Sequence, residues 1–174
     1  MPYEMPKPRA HLLTIALLSA SCLMLSCTPS TGLHRSQSTE IAQRTAGQVL
    51  PITAKATIGT QIFDLEVAQK PQQQTIGLMY RTFLPPNRGM LFPFNPAQPV
   101  QFWMKNCRIA LDMIFLRQGK VVYIAAAAPP CTADPCPVYG PDSPVDQVIE
   151  IQSGRAAAVG LKVGDRIDVQ PLKP

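Results

Sequence analysis

The chain has 174 residues, of which 46% are hydrophobic and 16% are charged, and its formal net charge is +5. Charged residues make up about 25% of an average globular domain, so this composition excludes a disordered charged tail, a coiled coil and a basic arm that binds nucleic acid. The two histidines, His11 and His34, precede the main domain, which argues against a histidine base or histidine metal ligands in its core.

The first residues have the pattern of an export signal. Lys7, Arg9 and His11 form a basic start, and an uncharged stretch of 13 residues follows at 12–24. A membrane-spanning helix needs about 20 apolar residues, whereas the apolar core of a signal peptide needs roughly 7 to 15. We therefore expect the protein to be exported.

The end of this signal resembles that of a bacterial lipoprotein. Ser26, a small residue, precedes Cys27, and in such signals this cysteine is lipidated and becomes the new first residue. Ordinary cleavage nearby is the alternative. Residues 28–50 are rich in Ser, Thr, Gln and Gly and predict a flexible linker. A lipidated Cys27 would anchor the domain to a membrane, in the periplasm or on the outer surface.

The remaining residues, 51–174, predict a single domain built mostly from short strands. Alternating, β-branched residues at 52–58 and 61–68 predict a hairpin. Helices are predicted at 71–81, with a proline in the first turn, and at 154–161. Further strands are predicted at 89–94, 100–106, 110–117, 120–127, 147–152 and 166–170, with a proline-rich loop at 129–144. The pattern indicates a mainly β fold: a compact antiparallel barrel or sandwich with two short helices.

Four short motifs carry a resemblance to a known family. They are GLMYR at 77–81, GMLF at 89–92, FWMKN at 102–106 and LDMIF at 111–115. In order and spacing they resemble the domain of unknown function 192 family, over residues 54–169. The resemblance implies a small all-β fold and frequent export, and it implies no established activity. Cys107 stands where the family pattern usually has threonine.

Three cysteines, Cys107, Cys131 and Cys136, fall in the domain. The segment between Cys131 and Cys136 contains turn-forming Asp134 and Pro135, so the two sulfurs can meet, and disulfides persist in exported proteins. We expect a Cys131–Cys136 disulfide, with pairing of Cys107 to one of them as the alternative. A free Cys107 is either a packed core residue or a reactive thiol, and without a histidine base the core role is favoured.

Polar residues among the apolar strands indicate a candidate site. Asp112 interrupts an apolar run, and a buried charge without a partner is very costly, so it must reach water or a donor. Arg81, Lys105 and Asn106 are the candidate partners, with Trp103 as an apolar wall. These five side chains would form a ligand-binding pocket at one end of the fold. The alternative is a structural set of ion pairs and hydrogen bonds that fixes strand register.

Three functions follow from these observations. The leading hypothesis is a non-catalytic, envelope-tethered domain that binds a small molecule or another envelope component, without a cofactor or metal. The second is a hydrolase or transferase that uses Asp112 as acid or base, while Arg81 and Lys105 hold an anionic substrate. The third is a Cu(I) carrier, because thioethers bind soft metals. Its ligands would come from four methionines that core packing explains equally well: Met79, Met90, Met104 and Met113.

Overall fold

A computed structural model describes residues 47–173 and contains nine strands and two short helices. The predicted signal, its lipidation at Cys27 and most of the predicted linker lie outside the described residues. The strands are β1 (Ile52–Ile58), β2 (Gln61–Val67), β3 (Arg88–Gln98), β4 (Phe102–Trp103), β5 (Leu111–Arg117), β6 (Lys120–Ala128), β7 (Val138–Tyr139), β8 (Val145–Gln152) and β9 (Asp168–Pro171). The helices are α1 (Pro71–Ile76) and α2 (Arg155–Ala158).

Seven strands form one large sheet in the order β6-β5-β8-β3-β2-β1-β9, and β4 pairs with β7 in a separate two-stranded ribbon. The predicted mainly β sandwich with two short helices is confirmed. The predicted barrel is wrong, because the two edge strands do not pair along their length. The start of β6 instead pairs with residues 164–167, just before β9, through the bridge between Lys120 and Arg166 and through backbone hydrogen bonds of Gly119 and Val121. The antiparallel prediction holds for every strand pair of the described chain except β2 and β3, which run parallel.

Apolar side chains cover both faces of the large sheet. Successive residues of a strand point to opposite faces, so Leu91 of β3 joins one buried cluster while its neighbours Met90 and Phe92 join the other. The first cluster includes Ala156 of α2 and Ile167, which come from the segment after β8. The second cluster includes Leu78 and Met104, which come from segments outside the large sheet. The candidate site is built on this second face.

Three predicted elements are clearly shorter in the structure, and one of them is the helix predicted at 154–161, which spans only Arg155–Ala158. The helix predicted at 71–81 ends at Ile76, because Gly77 has a positive φ of 49° that a continuing helix does not allow. The strand predicted at 100–106 is reduced to Phe102–Trp103, because the chain turns where the Cys107 N–H donates to the Met104 carbonyl. The latter two interruptions place α1 and the segment 98–107 beside each other on the second face.

No helix among residues 47–173 has both the length and the apolar character needed to cross a bilayer.

Candidate functional site

Asp112 is held by backbone N–H groups and contacts none of its predicted partners. It is almost fully buried in β5. Its Oδ1 accepts hydrogen bonds from the N–H groups of Ala127, at 2.7 Å, and Gly154, at 3.1 Å, and its Oδ2 accepts one from Ala156 at 2.8 Å. Asp112 therefore fixes the start of α2 against the large sheet. The prediction that it pairs with Arg81, Lys105 or Asn106 is wrong, because backbone donors already occupy both oxygens.

Arg81 forms a separate buried ion pair. Its guanidinium donates to both oxygens of Glu66, at 2.8 and 2.6 Å, and its Nε donates to the carbonyl of Gln48. Glu66 also accepts a hydrogen bond from the N–H of Leu50 at 2.6 Å. This bidentate pair joins β2, the segment after α1 and residues 48–50. Its hydrogen bonds go to Glu66 and to the Gln48 carbonyl, so we assign Arg81 a structural role rather than ligand binding.

Lys105 and Trp103 lie together at the surface, beside the loop that the cysteines close. The Lys105 Nζ is 3.0 Å from the Asp134 carboxylate and 5.5 Å from the centre of the Trp103 ring. The Cys131 and Cys136 sulfurs are 2.10 Å apart, at bonding distance, which is the pairing that the spacing predicts. The disulfide loop thus supplies the carboxylate that orients Lys105.

Asn106 lies in a turn with a φ of 59°, where its carbonyl accepts the N–H of Tyr80 and its side-chain amide lies 3.8 Å from the Met79 sulfur. Asn106 therefore connects the turn after β4 to the segment after α1. The five predicted site residues do not converge on one pocket: the structure brings together Trp103 and Lys105, and it separates them from Arg81 and Asp112.

A cleft of about 500 Å³ lies between α1 and the segment 98–107 on the second face of the sheet. Of the predicted site residues, only Trp103 lines it. The lining is rich in aromatic and sulfur-containing side chains, with amides and one hydroxyl at more exposed positions. These residues are Phe92, Phe94, Phe102, Trp103, Met79, Cys107, Gln74, Thr75, Gln98 and Gln101.

Glu150 is the one buried polar side chain that the described residues contribute to this cleft. It lies in β8, in the middle of the sheet, opposite Met90 of β3 and Met113 of β5. Its Oε2 atom has no hydrogen-bond partner among residues 47–173. Burial raises the pKa of Glu150 from 4.5 to about 8, because the apolar surroundings disfavour the charged carboxylate.

Cys107 is the free thiol of the described chain and lies half-buried in the same cleft. Burial first, and the nearby charge of Glu150 second, together raise the pKa of its thiol to about 12. A thiol reacts as the thiolate, so this environment suppresses its nucleophilic chemistry. Cys107 packs against the second core cluster, in agreement with the favoured core role.

The four methionines of the Cu(I) hypothesis are divided between core and cleft. Met90, Met104 and Met113 are buried in the second cluster, whereas Met79 lines the cleft. Within residues 47–173, no group of three or more His, Cys, Asp or Glu side chains could hold a metal ion.

Sequence reasoning missed Glu150, although a signal for it exists. Like Asp112, it is an acidic residue within an apolar run, at 148–151. The same argument from the cost of a buried charge applies to both residues. Only the structure distinguishes the acid that backbone donors satisfy from the acid that faces a cleft.

The family model described as "Uncharacterized ACR", DUF192, matches residues 53–169. No curated protein matches the chain. Two solved structures are similar to it. One is a protein of unknown function from Novosphingobium aromaticivorans DSM 12444, with 33% identity over 72% of this chain and 96% of that chain, and a TM-score of 0.61. The other, from Sinorhizobium meliloti 1021, is provisionally described as a transcription regulator. It has 31% identity over 71% of this chain and 98% of that chain, and a TM-score of 0.63.

Proposed function

The chain belongs to the DUF192 family, which carries no assigned activity, and we propose that it is a non-catalytic domain that binds a small molecule in the cleft between α1 and the segment 98–107. A pocket of several hundred Å³ with apolar walls and few polar groups is the usual form of a small-molecule site. The cleft has this form, with four aromatic side chains and one buried acid.

The observation that carries this proposal is the unpartnered Oε2 of Glu150. A buried polar atom without a hydrogen bond costs about 1–3 kcal/mol, and native proteins contain few of them. The atom itself is buried, and it belongs to a residue that lines the cleft, so a ligand donor that reaches this carboxyl group would supply the missing hydrogen bond. The stabilisation lost in the free protein is thereby recovered on binding.

The chain's polar groups give less support to the enzyme alternative with Asp112, Arg81 and Lys105. An acid or base must reach substrate, but both oxygens of Asp112 accept backbone hydrogen bonds beneath α2. The Arg81 guanidinium is likewise occupied by Glu66. The proposal therefore assigns structural roles to both residues and assigns ligand binding to the cleft.

The proposal also includes an envelope location. The basic start, the short apolar stretch and the lipoprotein-like end at Cys27 support export and a lipid anchor, and residues 28–50 supply a polar linker. A domain held in this way would meet small molecules or other envelope components at a membrane surface.

The test is a comparison of the native and denatured masses of the protein purified from its own cells, followed by a binding titration. Trp103, the single tryptophan of the chain, lines the cleft and reports on its occupancy by fluorescence. We expect extra mass in the native state, and a change in Trp103 emission on titration with n-hexanol, a small amphiphilic probe.

A variant that fills the cleft identifies the site of binding. Val100 lines the cleft, so Val100→Phe should abolish the n-hexanol response. The matched control is Ile62→Phe, since Ile62 is exposed on β2 and lies outside the cleft. An unchanged response in Val100→Phe, or no response in the unaltered protein together with equal masses, would refute the proposal.

A further inference from the structure

We infer that the ligand of this cleft is an organic cation, and that its ammonium group binds at the carboxyl group of Glu150. This inference rests on the proposed function, and it names the chemical class of the ligand. It is carried by the position of one buried acid, by the absence of a positive side chain among the described cleft residues, and by the aromatic walls.

The acid has no positive partner within the described part of the cleft. Its strand neighbours, Met90 and Met113, are uncharged. Helix α1 contributes Gln74 and Thr75, and β3 contributes aromatic side chains. The segment 98–107 contributes amides, aromatic rings and Cys107, the other titratable group of the lining. A ligand with a positive charge would supply the missing counterion.

The walls of the cleft suit the same kind of ligand. Aromatic rings attract cations through the negative charge density of their faces, and this attraction is largest for tryptophan. The Trp103 ring already contacts one cation, because the Lys105 Nζ lies 5.5 Å from its ring centre. Phe102 packs edge-to-face against Phe92 and Phe94, which fixes the rings of the inner wall. An alkyl chain would lie along these rings while the ammonium reaches Glu150.

Binding is coupled to the release of a proton. Below pH 8 the empty cleft holds mostly the protonated acid, because burial raises the pKa of Glu150 to about 8. The arriving ammonium group keeps its own protons, the Glu150 proton leaves to solvent, and a carboxylate–ammonium pair remains. No covalent bond between ligand and protein forms or breaks.

The test compares three probes with the same six-carbon chain and different head groups: n-hexylammonium, n-hexanol and n-hexanoate. Their affinities are measured for the full protein from the change in Trp103 fluorescence at pH 6, 7.5 and 9. We expect n-hexylammonium to bind tightest and n-hexanoate weakest. With a Glu150 pKa of about 8, the n-hexylammonium affinity should rise roughly 50- to 100-fold from pH 6 to pH 9, while that of n-hexanol stays constant. Calorimetry in two buffers with different ionisation enthalpies should detect the released proton.

Two variants test whether Glu150 causes the preference for n-hexylammonium and its pH dependence. Glu150→Gln keeps the shape and a hydrogen-bond acceptor but removes the charge, so n-hexylammonium should bind at least tenfold more weakly, without its pH dependence, and n-hexanol should be unaffected. Asp168→Asn is the control, because Asp168 is an exposed acid on β9 that lies outside the cleft lining. It should leave all three affinities unchanged.

The outcomes separate this inference from the proposed function. Equal binding of n-hexylammonium and n-hexanol at every pH would overturn the cation inference and leave the small-molecule site standing. Tighter binding of n-hexanoate would overturn it in the same way. No response of Trp103 to any of the three probes, together with equal native and denatured masses, would overturn both. The pH dependence in the unaltered protein decides the question even if Glu150→Gln does not fold.

Discussion

Two buried acids, Asp112 in β5 and Glu150 in β8, lie in neighbouring strands and have opposite environments. Asp112 accepts three backbone hydrogen bonds, which include one from the first turn of α2. Glu150 lies among methionines and aromatic rings, and its Oε2 has no partner within the described chain. The first acid therefore stabilises the fold, whereas the second costs stability in the ligand-free protein. Substitutions should separate these two roles.

Replacement of Asp112 by alanine should destabilise the protein strongly. It leaves the N–H groups of Ala127, Gly154 and Ala156 without an acceptor in a buried position, at a cost of about 3 kcal/mol or more. Urea unfolding followed by circular dichroism measures this loss. The control is Asp134→Ala, since the exposed Asp134–Lys105 pair should contribute less than about 1 kcal/mol. Equal losses in the two variants would contradict the structural role of Asp112.

Glu150 should make the free energy of unfolding depend on pH. Its pKa is about 8 in the folded protein and near 4.5 in the unfolded chain, so the folded state binds the proton more tightly. This contribution is complete below pH 4.5 and is lost as the pH rises through 8. Between pH 5 and pH 8 the ligand-free protein should lose about 3 kcal/mol from this group.

Glu150→Gln should remove this loss, because glutamine does not titrate. Unfolding in urea at pH 5, 6, 7 and 8, without added ligand, gives the free energy of unfolding of the unaltered protein and of Glu150→Gln at each pH. If this free energy depends on pH equally in the two proteins, Glu150 ionises in the folded protein as easily as in water.

At the scale of elements, periodicity and turn residues predict the long strands well and the short ones poorly. The hairpin of β1 and β2 appears where alternation places it, within one residue at its end. β7 lies inside a proline-rich loop, and its two residues are too few for any period to be visible. It exists because Tyr139 and Val138 pair with Phe102 and Trp103 of β4. Such pairing is a tertiary effect that a local pattern does not record.

The buried pair of Arg81 and Glu66 should hold the segment after α1 against β2. Arg81→Met removes the guanidinium and leaves Glu66 almost fully buried without its counterion, which should cost about 3 kcal/mol in unfolding free energy. The matched control is Lys55→Met, because the Lys55–Asp64 pair is at the surface and should contribute less than about 1 kcal/mol.

Thermal and urea denaturation of the two variants provide the comparison. Addition of Glu66→Gln to Arg81→Met should recover part of the loss, since it removes the unpaired charge. If Arg81→Met lowers the free energy of unfolding as little as Lys55→Met does, the Arg81–Glu66 pair does not stabilise the packing of residues 48–50 and of the segment after α1 against β2.

For the whole molecule, the sequence predicts the fold class and the family but neither the strand order nor the site. The parallel pairing of β2 with β3 depends on the chain passing through α1 and the segment to residue 87 before it returns to the same sheet. The sequence prediction pairs Arg81 and Lys105 with Asp112, because a buried carboxylate needs a donor. Their actual partners are Glu66, Asp134 and backbone N–H groups, and the three-dimensional path of the chain alone brings these together.

At the same scale, the proposed lipid anchor gives a prediction for location in the cell. Cys27→Ala removes the residue that would carry the acyl chains, each buried methylene of which contributes about 0.8 kcal/mol to membrane binding. We expect the protein to move from the membrane fraction to the soluble fraction of fractionated cells, as detected by immunoblot. Cys22→Ala is the matched control and should leave the protein with the membranes. Unchanged partitioning of Cys27→Ala would point to an uncleaved apolar segment as the anchor.

The pairing of β1 with β9 has a consequence for the order in which the chain can fold during its synthesis. Ala54 lies opposite Pro171, and Thr57 lies opposite Asp168, so the first strand of the domain shares an edge with the last. At about 5–20 residues per second, a ribosome completes β9 roughly 5 to 25 seconds after β1. Until then one edge of β1 has open backbone groups, which can pair with strands of other chains. The sheet is therefore completed only after the whole domain has been made, and this edge of β1 stays unpaired during that interval.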